Sequence, residues 1–174
     1  NHWYRKYPNL IRGIIPNGPN QIWVSDITYI KTPKEFLYLF LITDAYSKKI
    51  LGYRLAKTLD SVHAVNSLQD AVKNGCQPIP GLIHHSDRGI QYCSKEYTDM
   101  LKDNGIAISM TENGDPLENA IAERINGILK DEYLNDEISK QSCLEAEGLK
   151  KAIEKYNKLR PHLSSDMLTP EAAH

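Results

Sequence analysis

Nowhere along this chain do apolar residues run far enough to cross a bilayer. The longest stretch, Phe36 to Ile42 (FLYLFLI), falls well short of the roughly 20 residues that a spanning helix needs. No signal-peptide pattern opens the chain, and its first residue is Asn rather than Met, so a piece excised from a longer protein is expected. Cysteine is scarce: Cys76, Cys93 and Cys143 are odd in number, widely scattered and free of any CxxC pair. That argues against structural disulfides and zinc ribbons and makes a reducing compartment the default. Net charge is nearly absent as well. A formal −1 speaks against a dedicated, strongly basic nucleic-acid binder, although a neutral total can hide a local patch. Internal repeats and low-complexity tracts are missing too.

What is present fits one globular domain. A length of 174 residues suits a single full core, and 41% hydrophobic with 25% charged residues is ordinary for such a fold. Residues 1–20 read as a lead-in ending in the polar, Pro-rich Pro16–Asn20, residues 21–160 as the folded core, and residues 161–174 as a C-terminal extension. In that extension Thr169-Pro170-Glu171 has the N-cap and N1 signature of a helix start.

Gln21–Ile30 (QIWVSDITYI) reads as a strand with a fault in it. Ile22, Val24, Thr28 and Ile30 share one face at a period of two, and Asp26 falls among them. An ionised carboxylate in that company is costly unless paired, hydrogen-bonded or bound to a metal. Further strands follow at about Phe36–Asp44, apolar enough for burial on both faces, and Lys49–Ala56, forming an antiparallel meander. From Ser61 to Asn74 the period becomes helical, with Gly75 at a C′ position. Leu82–His85 and Ile106–Met110 are short strands. Between them Ser94 can cap a helix ending at Gly105. Asp115-Pro116-Leu117-Glu118 opens a helix running to about Leu134, and a last helix spans about Lys140–Arg160. The order βββ-α-β-α-β-α-α predicts an α/β fold: a five-stranded mixed sheet with helices on its faces.

Three carboxylates occupy meaningful places in this scheme. Asp26 lies within the first strand, Asp87 directly follows the fourth, and Glu123 sits early in the helix after Pro116. Sixty residues lie between the first two and 35 between the second and third. Taken singly, each has an ordinary reading: a bulge, a turn, a solvent-facing helical acid. Together, with WVSDITYI, HHSDRGIQY and ENAIAERINGILKDEY around them, the chain resembles the retroviral-integrase-like transposases of bacterial insertion sequences. The likeness extends to YNKLRPH and the terminal LTPEAA, and departs at Glu118, where the family usually has Asp.

The resemblance implies an RNase H-like fold and a D,D,E site of Asp26, Asp87 and Glu123 that cuts and joins DNA with Mg²⁺ or Mn²⁺, two ions per site being expected. It implies DNA, both element ends and target, as partner, a homo-oligomer assembled on it, and an upstream helix-turn-helix region. The protein would work in the bacterial cytoplasm, at the nucleoid. The chemistry agrees independently. Converging carboxylates repel one another and raise their pKa values, and a divalent cation relieves that; Mg²⁺ is satisfied by a few carboxylates plus substrate phosphate.

Around the acids, Asn119 and Lys130 share the helix face of Glu123, one turn before it and two turns after it. Lys130 is favoured as a phosphate contact; the family carries a basic residue there. Arg88, Gln91 and Tyr92 follow Asp87 and are candidates to line the DNA path, Tyr92 equally for the core. Arg160, at a helix end, suits a phosphate or the helix dipole equally. His84 and His85 alternate across a strand and read as packed, hydrogen-bonded residues, Asp44 as a turn residue, and Met110–Asp115 (MTENGD) as a mobile segment. Two readings stand beside the transposase: a hydrolytic nuclease of the same fold, and a non-catalytic DNA-binding or assembly module. The second would be expected to have lost an acid, and none is lost.

Overall fold

The computed structural model describes residues 3–32, 35–75, 80–112, 119–134 and 146–174. Five strands form one sheet: β1 (Ile22–Lys31), β2 (Phe36–Asp44), β3 (Ile50–Ala56), β4 (Ile83–Ser86) and β5 (Ala107–Met110), in the spatial order β3-β2-β1-β4-β5. β1, β2 and β3 pair antiparallel, as the two short connections require. β4 joins β1 in parallel and β5 joins β4 in parallel, each after a helical crossover. The expected mixed sheet is the one found.

The helices are α1 (Ser61–Asn74), α2 (Ile90–Cys93), α3 (Lys95–Asp103), α4 (Ala120–Ile128), α5 (Ala146–Leu159) and α6 (Pro170–Ala173). The single turn α2 was not foreseen; four residues are too few to show a period. After Ile128 the α4 helix continues in wider, i→i+5 turns over Leu129–Leu134. The cap expected at Asp115 and the start expected at Lys140 lie outside the described residues, as do Cys76, Cys143 and most of the MTENGD segment.

Alternation along the strands divides the core into two layers. Trp23, Phe40 and Ile42 face one side with Leu68 of α1 and Tyr97 and Leu101 of α3. Ile30, Leu39 and Leu41 face the other with Ile125 of α4 and Leu149, Ile153 and Tyr156 of α5. Thus β2 is buried on both faces, as its apolar run predicted. Ile22 and Val24 meet Ala122 of α4, so the face carrying Asp26 is the one that α4 covers.

Two glycines are explained by close approach. A Cβ on Gly52 would stand 2.0 Å from the Ser67 carbonyl oxygen, so β3 and α1 touch backbone to backbone there. Gly75 ends α1 with φ −75°, not the left-handed cap that its position suggested. Its reason is packing: a Cβ would lie 2.5 Å from the Trp23 ring.

Asp44 proves to be a fully buried turn anchor. Its Oδ1 accepts from the Ser47 N–H at 2.7 Å, the Ser47 hydroxyl at 2.9 Å and the Tyr46 N–H at 3.1 Å. Its Oδ2 accepts from the Asn20 N–H at 2.7 Å, tying the lead-in to the β2–β3 turn. The lead-in also closes the outer edge of β5, where the Met110 N–H donates to the Pro8 carbonyl and the Leu10 N–H to the Ser109 hydroxyl. At the other end Thr169 caps α6 through the Ala172 N–H, as its sequence predicted.

Candidate active site

Strand register brings the first two acids together. β1 and β4 run parallel with Val24 opposite His85. Asp26 is two residues past Val24 and Asp87 two past His85, so both lie towards the same end of adjacent strands, which are about 4.8 Å apart. Glu123 descends from α4, which crosses that face of β1. Asp26 is only partly exposed, whereas Asp87 and Glu123 are open to solvent.

The electrostatics report the same convergence. Burial, with the negative charges of Asp87 and Glu123 acting in the same direction, pushes the Asp26 carboxyl up from its ordinary 3.8 to about 6. The Ile27 N–H and the Asn126 amide pull in the opposite direction, and they lose. Asn126 Nδ2 donates to Asp26 Oδ2 at 2.5 Å. Asp87 Oδ1 accepts from the Gly89 N–H at 2.8 Å, and a Cβ on Gly89 would crowd that oxygen at 2.9 Å. Glycine there lets the loop fold over the carboxylate.

These donors suit a hard divalent cation: all three are carboxylates, and all three carry charge that a cation would neutralise. Among the described residues no group of three or more Asp, Glu, His or Cys side chains is already arranged to hold a metal ion. The acids feel one another, yet they do not close a cage. Mg²⁺ commonly takes one or two carboxylates and completes its shell with water and substrate phosphate. An open arrangement fits that ion.

Because its folded-state pKa lies above the unfolded value, Asp26 favours folding only when protonated. That contribution is complete below about pH 4 and is lost as the pH rises through about 6. In EDTA, Asp26→Asn should therefore be more stable than the parent at pH 8, by up to about 2–3 kcal/mol, with the gap closing towards pH 4. Urea unfolding at several pH values measures this. A gap that does not change with pH would show that Asp26 ionises without strain.

Two matches to the integrase core domain cover residues 16–116 and 104–170. The chain belongs to the integrase core domain family. It is 37% identical over 123 residues to a putative transposase for insertion sequence element IS986/IS6110 of Mycobacterium tuberculosis, covering 68% of this chain and 44% of that protein. It is 34% identical over 169 residues to a transposase for insertion sequence element IS904 of Lactococcus lactis, covering 94% and 65%. The chain thus spans about half the length of such relatives. The fold is that of the HTLV-2 integrase catalytic core domain, solved in complex with magnesium, at TM-score 0.71 and 22% identity, over 91% of this chain and 98% of that one. It is an RNase H-like integrase core.

Within this integrase core the flanking residues divide. Lys130 Nζ reaches Thr28 Oγ1 at 3.4 Å, beside Asp26 on β1, so it stays on the acids' side of the helix. Asn119 is buried rather than a surface residue, and its Nδ2 donates to the Ser25 carbonyl at 3.2 Å. Arg88 Nη1 donates to the Glu112 carbonyl at 3.0 Å, and Gln91 to the Leu59 carbonyl. Tyr92 is in the core. Arg160 forms a two-pronged pair with Glu132, at 2.7 Å and 2.6 Å. All are engaged within the protein, Lys130 by the longest of these bonds, so any DNA contact from them has to begin by giving up such a partner. His84 and His85 are buried as expected: His84 Nε2 meets Ser25 Oγ at 2.6 Å and Tyr97 Oη at 2.8 Å, and burial pushes its pKa down to about 3. His85 Nδ1 meets Ser109 Oγ at 2.8 Å.

Asn126 was missed by sequence reasoning. It lies three residues after Glu123, hence on the same helix face, and that spacing was the available signal. Gly89 was missed too, because nothing in the letters shows how closely its loop folds back.

Proposed function

We propose that this domain cuts and joins DNA strands during transposition of an insertion sequence, with Asp26, Asp87 and Glu123 as the catalytic acids. The observation carrying the reading is the Asp26 carboxyl, half-buried in the middle of β1 level with the end of β4, and pushed up by burial and, in the same direction, by the charges of Asp87 and Glu123. In the integrase core family, and with magnesium named in the related viral core, that cluster is best explained as a divalent-metal site.

Bound Mg²⁺ or Mn²⁺, two ions in our reading, would supply activation of the attacking oxygen, charge neutralisation at phosphorus and stabilisation of the leaving oxygen. The chain's part is to place these elements. Asn126 fixes the Asp26 rotamer, Gly89 fixes that of Asp87, and Lys130 offers an ammonium to a phosphate beside the scissile one. Water first displaces a 3′ oxygen at the element end. The freed 3′-OH then attacks a second phosphodiester, one P–O bond forming as another breaks, so no protein nucleophile is needed. DNA is the partner, and a homo-oligomer on DNA, with an end-recognising helix-turn-helix elsewhere in the full protein, completes the reading. Among the described residues no helix is long and apolar enough to cross a membrane; we place the work in the bacterial cytoplasm, at the nucleoid.

Mn²⁺ or Mg²⁺ at about 100 times its Kd should stabilise the chain by about 2.7 kcal/mol. For a domain of this size that raises Tm by about 5–10 °C. Asp26→Asn and Asp87→Asn should each abolish the shift in a thermal melt. An equal shift in those variants would place the ion elsewhere and remove the acids from the mechanism.

A further inference from the structure

The helix that carries Glu123 has a second functional face. On the far side of α4, Ile121 and Arg124 line a cavity of about 490 Å³, whose other walls include Lys48, Arg160, His162 and Leu163. The volume lies within the range of small-ligand pockets.

Its charge is only partly answered within the protein. Burial is the main cause that lowers the proton affinity of His162, and the charges of Arg160, Lys48 and Arg124 lower it further; burial likewise lowers that of Lys48, with Arg124 adding to it. Glu132 neutralises Arg160, and Lys48 Nζ donates to the Ala45 and Tyr46 carbonyls. Arg124 is exposed and has no salt bridge among the described residues. His162 is 7% exposed, and its Nε2 is sealed from solvent without a hydrogen-bond partner among the described residues. A buried nitrogen left in that state costs about 1–3 kcal/mol. Beside these polar groups the wall is apolar, and Leu163 is 86% exposed there.

Cations around an apolar wall match a nucleotide: phosphate for the charges, and apolar contact of the base face with Leu163 and Ile121. The location adds to this. Glu123 faces the acid cluster while Ala120 and Arg124 face the cavity, so only the width of a helix, about 10 Å, separates the two. A strand crossing the start of α4 would bridge them in about three nucleotides at 3.4 Å each.

We propose that this cavity binds one unpaired nucleotide lying about three along the strand from the phosphate in the active site, its own phosphate held by Arg124 and Lys48 and its base laid against Leu163 and Ile121. The inference rests on the DNA-joining reading of the acid cluster. It assigns a separate site that selects DNA with an unpaired tail over blunt duplex.

The test is fluorescence titration of the chain, in EDTA, with a short duplex carrying a single-stranded tail of about three nucleotides and 2-aminopurine in that tail, against the same duplex blunt. The parent chain should bind the tailed duplex about tenfold more tightly. Arg124→Glu and Leu163→Asp, both at exposed positions, should each erase that preference while retaining the parent's thermal melt and blunt-duplex affinity. Glu123→Gln should keep the preference. Equal affinity of the parent for tailed and blunt DNA, with strand transfer intact, overturns the pocket and leaves the DNA-joining reading standing. Absence of DNA binding together with absence of strand transfer overturns both. Self-association abolished by Leu163→Asp, with the tail preference unchanged, would make this face a contact between copies and also overturn the proposal.

Discussion

Asp87→Asn should lower strand transfer at least a thousandfold while leaving the thermal melt in EDTA within about 1 °C. The activity loss follows from the chemistry: neutralising one of three carboxylates weakens ion binding and leaves the attacking oxygen and the leaving oxygen without their counter-charge, and a thousandfold corresponds to about 4 kcal/mol of barrier. The intact fold follows from the surroundings. Asp87 is exposed, and its hydrogen bond to the Gly89 N–H survives with an amide oxygen. A labelled oligonucleotide with an insertion-sequence end, incubated with Mn²⁺, measures the joined product directly. Joining by Asp87→Asn at the parent rate would end the case for the acid cluster. Glu123→Gln should behave likewise, because Glu123 is also exposed; Asp26→Asn should lose activity yet gain stability in EDTA at neutral pH.

The opposite separation is expected at Asp44. Asp44→Ala should destabilise the chain by about 3–5 kcal/mol, enough to populate the unfolded state at 37 °C, without touching the chemistry of molecules that do fold. Four donors converge on this carboxylate: three from the Tyr46–Ser47 turn and one from Asn20. Truncation strands all of them in a place with no access to water, since Asp44 is fully buried. Asp44→Asn should recover part of the loss, because its amide oxygen can still accept from the turn. Urea denaturation curves decide this, and a loss below about 1 kcal/mol would mean that the turn is held by the strands instead.

These two aspartates mark how far sequence could go. Asp44 reads as a turn residue from its DAYSKK context, and its hydrogen bonds bear that out; Asp87 reads as a metal ligand from a matched family context, which is the role proposed for it above. The order of elements along the chain and the two-sided burial of β2 were legible because period and apolar run length record burial directly. Gly75 was placed correctly and explained wrongly. A helix-ending glycine in a sequence suggests the left-handed cap, whereas the constraint here comes from Trp23, which is 52 positions away in the chain. The same blindness to distant partners hid Asn126 and made Asn119 a candidate for a phosphate or the Glu123 carboxylate, whereas it holds the Ser25 carbonyl of β1. The change of winding after Ile128 had no signal either: Leu129–Leu134 contains no proline or glycine to announce it.

The half-buried carboxylate on β1 also sets the direction in which this domain decays. An element that stops mobilising no longer selects for catalysis, while its host still removes polypeptides that misfold. Under that regime the first acid to disappear should be the one whose removal makes the scaffold sturdier. Relics of extinct elements should therefore carry Asn or an apolar residue at position 26 sooner than they lose the outward-facing carboxylates of Asp87 or Glu123.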